Sequence, residues 1–301
     1  MQKITIIGYG KMAKAIAVGL NGKFELEIIG RNRAKMEAFV RENALKNASV
    51  VCADLRESSA RDSAIDLQGK SIILAIKPYA LDSFSYTGKA KAIYSIMAGI
   101  SIERLRKCAD AEHFIRVMPN VASLVGKGVS VIFVESNSSL RDSHKLPPRH
   151  CENLRKQIRG NLSKSVENSA DSANQSDIIN ECESIFAPLG SCIFVEKESY
   201  INPAGAISGS GTAYLGLVAE AMIDAGVREG LSLEVSKELV RGLFGGFSAL
   251  FTREEAHTIR TDTTSPAGTT IEALAILENR GVRSAFMDAI HAANSKAKNI
   301  T

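Results

Sequence analysis

Short runs of aliphatic and β-branched residues recur along the first half of the chain: Ile4 to Ile7, Leu26 to Ile29, Val50 to Cys52, Ile72 to Ile76, Ala92 to Ile96, Phe114 to Val117 and Val129 to Val134. Between them lie segments with apolar residues every three or four positions, such as Lys11 to Leu20 and Arg33 to Glu42. Strand-like and helix-like patterns in alternation predict a doubly wound, mostly parallel α/β sheet with helices on both faces. The amphipathic Ile178 to Phe186 and the strand-like Cys192 to Val195 would complete this first domain, residues 1–199.

After about Tyr200 the strands stop. Tyr214, Leu217, Val218, Ala221, Met222 and Ala225 share one helical face, ending near Gly230, and Val235, Leu239, Leu243, Phe247 and Leu250 mark a second helix to Phe251. A third is expected from Thr270 to Asn279, closed by Gly281, and a fourth from Val282 onward, giving an all-helical domain over 200–301. Gly242, Gly245 and Gly246 inside the second helix each cost about 1 kcal/mol relative to Ala. Their presence implies close backbone approach by another helix or another subunit. The stretch 136–177 differs from both domains, being rich in Ser, Asn and mixed charge and poor in large apolar residues. It reads as a flexible polar insertion in a surface loop.

Composition narrows the function classes. The 301 residues are 45% hydrophobic and carry a formal charge of +4, without a basic run interleaved with aromatics, so nucleic acid is not an expected partner. No run approaches the ~18 consecutive apolar residues of a spanning helix, and Met1 leads directly into a strand, so no membrane association and a cytoplasmic location are expected. Five cysteines (Cys52, Cys108, Cys151, Cys182 and Cys192), odd in number and without a C-x-x-C pair, read as reduced thiols, and no metal site is expected.

Gly8-Tyr9-Gly10-Lys11-Met12-Ala13 follows a strand and opens a helix. Gly8 permits the tight turn, Gly10 admits a pyrophosphate to the backbone, and Ala13 allows close helix–strand packing, which together describe a dinucleotide site. At the end of the second strand, where an acidic residue would select NAD, stand Arg31, Asn32 and Arg33. Guanidiniums there suit a 2′-phosphate and favour NADPH, with NADH possible; as solvated residues at a helix start they would carry no such meaning. Ala75-Ile76-Lys77-Pro78, Ile96-Met97-Ala98 and Asn120 lie at later strand ends, where the ligand crevice of such a sheet opens.

Two further segments are read as helix starts whose free N–H groups could hold a small carboxylate: Ser208-Gly209-Ser210-Gly211-Thr212, and Thr264 to Thr270 with Ser265 as N-cap and Pro266 at the first helical position. Two ordinary capped helices would show the same residues. The sequence carries no nucleophile triad, no H-x-x-x-H and no paired carboxylates. A cyclic imine needs no strong protein acid, because its protonated form is already electrophilic.

Taken together, G-Y-G-K-M-A, A-I-K-P, S-I-M-A-G, R-V-M-P-N, S-G-S-G-T-A-Y and S-P-A-G-T-T resemble the pyrroline-5-carboxylate reductase family over nearly the whole chain. The resemblance implies NADPH-dependent reduction of 1-pyrroline-5-carboxylate to L-proline on a Rossmann domain followed by a helical dimerisation domain, in a homodimer or a ring of dimers. It implies cofactor contacts from Ile7, Gly8, Tyr9, Gly10, Lys11 and Met12, from Arg31, Asn32 and Arg33, from Ala75 to Pro78 and Ile96 to Ala98, and from Asn120 near the nicotinamide. Ser265, Gly268, Thr269 and Thr270 would hold the substrate, with Thr270 orienting the imine nitrogen and relaying a proton. Three departures stand out: Thr212 in place of a proline, Ala267 in place of a glycine, and the insertion. Ala267 implies a backbone that does not need positive φ there. A reductase of a related cyclic imino acid, and a nicotinamide-binding regulatory protein without turnover, are the alternative functions.

Overall fold

In a computed structural model of the chain, which describes residues 1–53, 64–82, 85–135 and 170–300, adjacent residues of one strand enter opposite cores. On β1 (Lys3–Ile7), Ile6 packs in one apolar layer with Ile16, Leu20 and Phe186, whereas Ile7 packs in the other with Ile72, Ile93 and Leu105. Both faces of the sheet are therefore covered, as a parallel sheet requires.

The strands are β1, β2 (Glu25–Gly30), β3 (Ala48–Cys52), β5 (Ser71–Leu74), β7 (Ala90–Ser95), β8 (Ala111–Met118), β9 (Gly128–Val134) and β10 (Gly190–Phe194), with β4 (Ile65–Asp66) and β6 (Tyr86–Thr87) forming a separate small ribbon. The main sheet runs β10-β9-β8-β7-β5-β1-β2-β3, and only the β8–β9 pair is antiparallel. Winding reverses at β1, between β2 and β5, so a ligand crevice lies outside the carboxyl ends of β1 and β5. Helices α1 (Lys11–Leu20) and α2 (Arg33–Glu42) coincide with the predicted spans, and α3 (Ile102–Cys108) was not foreseen.

Helix α4 (Ala170–Phe186) begins well before the expected start at Ile178. Its described core contacts are Ile178, Cys182, Ile185 and Phe186, and the sequence Ala-Asp-Ser-Ala-Asn-Gln-Ser-Asp before them has no hydrophobic periodicity that would reveal the preceding turns. The rest of the expected insertion, 136–169, lies outside the described residues. Two buried carboxylates brace the sheet away from the crevice. Glu27 accepts from Thr5 Oγ1 at 3.0 Å and pairs with Lys3 at 2.8 Å and Lys70 at 3.1 Å, while Glu181 on α4 bonds Ser71 and Lys91.

Two compact units are present: Met1–Gly209 with Asn294–Thr301, and Ser210–Ala293. The first extends past the expected boundary at residue 199. It includes α5 (Ile201–Ala204) and a π turn (Gly205–Gly209), from which the helix continues as α6 (Ser210–Arg228). Then follow α7 (Leu233–Phe251), a short α8 (Ala256–Asp262), α9 (Thr269–Asn279) and α10 (Val282–Lys298). Gly230 and Gly281 take positive φ between helices, the conformation a terminating glycine supplies. In the second unit α6 and α7 pack closely at Gly226, where a Cβ would lie 2.7 Å from Ser236 Oγ.

Elsewhere the second unit leaves its apolar faces open: Leu215, Leu217, Leu239, Leu243, Phe247, Ile276 and Met287 are all exposed. A Cβ at Gly242, Gly245 or Gly246 would meet nothing within 4 Å, so no described helix of this chain makes the close approach those glycines allow. The helical run Glu198–Arg228 is long and apolar enough, by length and composition alone, to cross a membrane.

Candidate functional site

The glycine turn after β1 is built by contacts on three sides. Gly8 N–H donates to the Ile29 carbonyl at 2.8 Å, and Ala75 N–H donates to the Ile7 carbonyl at 2.9 Å. Gly8 itself has φ +117°, and a Cβ there would lie 2.6 Å from the Ala75 carbonyl oxygen, so the turn and the A-I-K-P strand end fit only through glycine. Gly10 is the N-cap of α1 without a side-chain cap, and a Cβ on it would meet nothing within 4 Å. With buried Ala13 against the sheet and no acidic residue in the first turn, free N–H groups at the head of α1 face an open cradle that fits a pyrophosphate. Ile7 is wholly buried and presents only its backbone, whereas Lys11 is exposed.

Tyr9 closes the second side of this cradle. Its ring lies over Gly30, where a Cβ would come within 2.8 Å of Tyr9 Cδ1 and 3.0 Å of Met36 Sδ. A side chain at Gly30 would therefore force the Tyr9 ring, far from it in sequence, out of this position. Beyond it, Asn32 is the N-cap of α2, its Oδ1 accepting from Lys35 N–H at 2.9 Å. Arg33 pairs with Glu37 at 3.5 Å, both exposed, while exposed Arg31 receives a 3.4 Å contact from Cys52 Sγ at its carbonyl.

The later strand ends line the same edge of the sheet. Ala75 and Ile76 are half-buried, exposed Lys77 precedes a short turn at Pro78–Ala80, and Met97 sends its side chain into the core while Ala98 stays exposed. Gly99, at φ +76°, is packed from outside: a Cβ would lie 2.6 Å from the Ala297 carbonyl oxygen and 2.6 Å from Ile300 Cβ. The C-terminal segment thus backs the S-I-M-A-G loop. Sequence reading gave no signal of it beyond the glycine.

Asn120, the residue expected near the nicotinamide, is bound to its own chain at both ends of its amide. Its Nδ2 donates to the Ser208 carbonyl at 3.1 Å, and its Oδ1 accepts from Val129 N–H at 3.1 Å. Nearby, Arg116 on β8 is buried. Its Nη1 lies 3.2 Å from Glu198 Oε1 and its Nη2 donates to Asn202 Oδ1 at 3.0 Å, while Glu198 also accepts from Ile102 N–H at 2.8 Å. Burial lowers the Arg116 pKa and Glu198 opposes that shift.

Ser208, Gly209, Ser210 and Gly211 do not open a helix, contrary to the sequence expectation. They lie inside the run that starts at Ile201, on and just after the π turn, and Ser208 Oγ donates back to the Ala204 carbonyl at 3.0 Å. Pro203 conceals the true start, because a proline near a helix N-terminus lacks an N–H that would have no intrahelical partner anyway. The first-turn anion geometry expected there is absent.

At Thr264–Thr270 the helix starts at Thr269, within a residue of the expected Thr270 but past the Ser265 cap that the same stretch suggested. Gly268, not Ser265, is the N-cap of α9, and Thr269 and Thr270 occupy its first turn. Ser265 to Gly268 form a turn closed by the Gly268 N–H to Ser265 carbonyl bond at 3.2 Å. Pro266 and then Ala267 at φ +56° follow the type II pattern of proline second and a left-handed residue third. Ala267 therefore does adopt positive φ, correcting the expectation. A Cβ at Gly268 would meet the Ser265 hydroxyl, so a side chain there would force that hydroxyl to another rotamer.

Among the described residues no group of three or more His, Cys, Asp or Glu could hold a metal ion. Cys182 is buried in one core layer with its thiol pKa pushed up by burial, and Cys108 and Cys192 pack against the two layers.

Comparisons with known proteins bear on the family and the fold. Residues 198–300 match the family profile "Pyrroline-5-carboxylate reductase dimerisation", and residues 3–99 match "NADP oxidoreductase coenzyme F420-dependent". A pyrroline-5-carboxylate reductase of Helicobacter pylori is 32% identical over 99% of this chain and 100% of its own length, and one of Synechocystis is 28% identical over 99% and 98%. Among solved structures, pyrroline-5-carboxylate reductases of Coxiella burnetii and Streptococcus pyogenes align with TM-scores of 0.68 and 0.69 at 27% and 26% identity. They cover 99% and 98% of this chain, and 98% of each of those chains is covered in return. With full-length identity above 30% to one such reductase and a Rossmann-like sheet followed by the matched dimerisation region, the chain belongs to the pyrroline-5-carboxylate reductase family.

Proposed function

We propose that this chain reduces 1-pyrroline-5-carboxylate to L-proline with NADPH, NADH serving as an alternative donor. The reading is carried by two features held on one family member: the open glycine cradle at the head of α1 and the hydroxyl-bearing first turn of α9. The ring C=N bond gains a hydride at carbon and a proton at nitrogen. When bound, NADPH supplies the hydride.

The chain's own part is to bind, orient and relay. The backbone from Ile7 to Met12 and the head of α1 hold the pyrophosphate, and Arg31 with Asn32 and Arg33 hold the 2′-phosphate. Ala75 to Pro78 and Ile96 to Ala98 line the rest of the cofactor trough. Ser265, Gly268 and Thr269 hold the substrate carboxylate at the α9 N-terminus, where free N–H groups and the helix dipole favour an anion. Ser208 to Gly211 shape the ring's surroundings from within the helical run. Thr270 orients the imine nitrogen through its hydroxyl and passes the proton.

A second copy of this chain covers the open faces of α6 and α7, meeting Gly242, Gly245 and Gly246 by close backbone approach. The match of 198–300 to a dimerisation profile supports this cover over a membrane for the apolar run Glu198–Arg228. The enzyme works in the cytoplasm as a homodimer or a ring of dimers.

Replacing Thr270 with Ala tests the assignment. Loss of one positioned hydroxyl is expected to lower kcat/KM for the imine about 10- to 100-fold while leaving the Kd for NADPH unchanged. An unchanged kcat/KM would remove Thr270 from the mechanism.

A further inference from the structure

Asn120 occupies the N-cap position of a short helical turn, Val121–Val125, yet makes no side-chain cap there. Asparagine in that position ordinarily satisfies a free N–H of its own helix. Here the amide is committed elsewhere, and only one orientation suits both partners: Nδ2 toward the Ser208 carbonyl and Oδ1 toward the Val129 N–H. Asn120 is 8% exposed, so neither bond is readily exchanged for water.

The helix it grips is also held at its base. Arg116, 4% exposed, bonds Glu198 and Asn202, and its Nε is left buried without a partner among the described residues. Between the two clamps the run widens into the π turn Gly205–Gly209. Gly205 there lies under Met118, with a Cβ position 3.0 Å from Met118 Cγ. A π turn adds a residue to the helical repeat and so resets which side chains face a given direction. Arg116, Met118 and Asn120 alternate along one short stretch and all three act on this run.

We propose that Asn120 is a positioning residue that fixes the π turn, and through it the face presented by Ser208 to Gly211, rather than a ligand of the cofactor. This rests on the assignment of Ser208 to Gly211 to the substrate side made above. Asn120 acts through Ser208, so its loss misplaces substrate without loosening NADPH.

The variant Asn120→Asp isolates the point. A carboxylate still accepts from Val129 N–H but cannot donate to the Ser208 carbonyl. The expected result is a fall of about tenfold or more in kcat/KM for 1-pyrroline-5-carboxylate, carried mainly by a raised imine KM, with Kd for NADPH within about twofold of wild type. Asn202→Ala, which removes the acceptor of Arg116 at the other clamp without adding a buried charge, is the second variant and should shift the same constants the same way. Thermal melting of both verifies that they fold.

A tenfold weaker NADPH Kd with an unchanged imine KM would overturn the proposal and return Asn120 to the cofactor. Folded variants with wild-type kinetic constants and a lowered melting temperature would also overturn it, leaving only a structural role. In either case wild-type turnover leaves the functional reading intact. A wild-type protein that binds NADPH and reduces no cyclic imine would overturn both.

Discussion

Ala267 offers a measurement that isolates a single backbone angle. At φ +56° it stands in the left-handed region between Pro266 and the N-cap Gly268. An L-residue there costs about 1–2 kcal/mol through the crowding of Cβ against the backbone. Glycine escapes that cost but loses about 0.5–1 kcal/mol more than alanine when the unfolded chain is ordered. Ala267 is exposed, so its methyl contributes no packing that the exchange would forfeit. The balance predicts that Ala267→Gly stabilises the protein by about 0.5–1 kcal/mol, a rise of about 1–3 °C in Tm for a chain of this size. Ala267→Val should lower Tm instead, because a β-branched residue is a true outlier at positive φ. Both are read by calorimetry of cofactor-free protein at one fixed concentration, since ligand and oligomer binding each move Tm. A lower Tm for the glycine variant, or no loss for the valine variant, would refute the left-handed turn at the head of α9.

Other predictions follow from the charged groups. Replacing Arg31 and Arg33 together with Ala should lower the ratio of kcat/KM for NADPH to that for NADH by about 10- to 100-fold, as expected for one to two charge-assisted bonds to a 2′-phosphate. An unaltered ratio would sink that assignment. Burial pushes the Glu27 carboxyl up, but its bonds from Lys3, Lys70 and Thr5 outweigh it and leave the pKa below the ordinary glutamate range. Glu181 follows the same pattern with Lys91 and Ser71. A lowered folded pKa means that the stabilisation is complete above the unfolded glutamate value of about 4.3 and is lost as pH falls through the folded values. Denaturant titrations should therefore show stability falling below about pH 4.5. Glu27→Gln should cost about 1–3 kcal/mol near pH 7 and flatten that fall, and an equally steep fall in the variant would contradict the role given to Glu27.

Much of the Rossmann unit was legible because burial on both faces leaves a continuous apolar signature, as in Ile4 to Ile7 and Ile72 to Leu74. Helices α1 and α2 announced themselves through periodicity and a following asparagine or glycine. Helix α3 did not, since Ile-Glu-Arg-Leu-Arg-Lys-Cys is short and charged and buries only Ile102 and Leu105; its signal was the Ser101 cap, whose hydroxyl accepts from Arg104 N–H at 3.2 Å. Polar α8 was hidden for the same reason.

The candidate site was legible where its residues are local in sequence and obscure where they are not. Gly8 to Ala13 form one strand–turn–helix, so spacing alone defined it. By contrast, Asn120 finds Ser208 across 88 residues and Arg116 finds Asn202 across 86, and no sequence pattern encodes those pairings. One error came from proline. Pro266 suggested the first residue of a helix but is the second residue of a turn. Both conformations accept proline for the same reason: each needs φ near −65° and no N–H at that position.

The central claim is the reaction itself. Loss of reduced-nicotinamide absorbance would be followed with purified full-length protein and racemic 1-pyrroline-5-carboxylate, with NADPH and NADH in parallel, the six-membered imine as comparison, and L-proline identified as product. The account predicts rapid NADPH oxidation with the five-membered ring, one L-proline formed per NADPH, and slower turnover with NADH. Oxidation with the six-membered ring alone, or intact NADPH binding without oxidation by either imine, would contradict it.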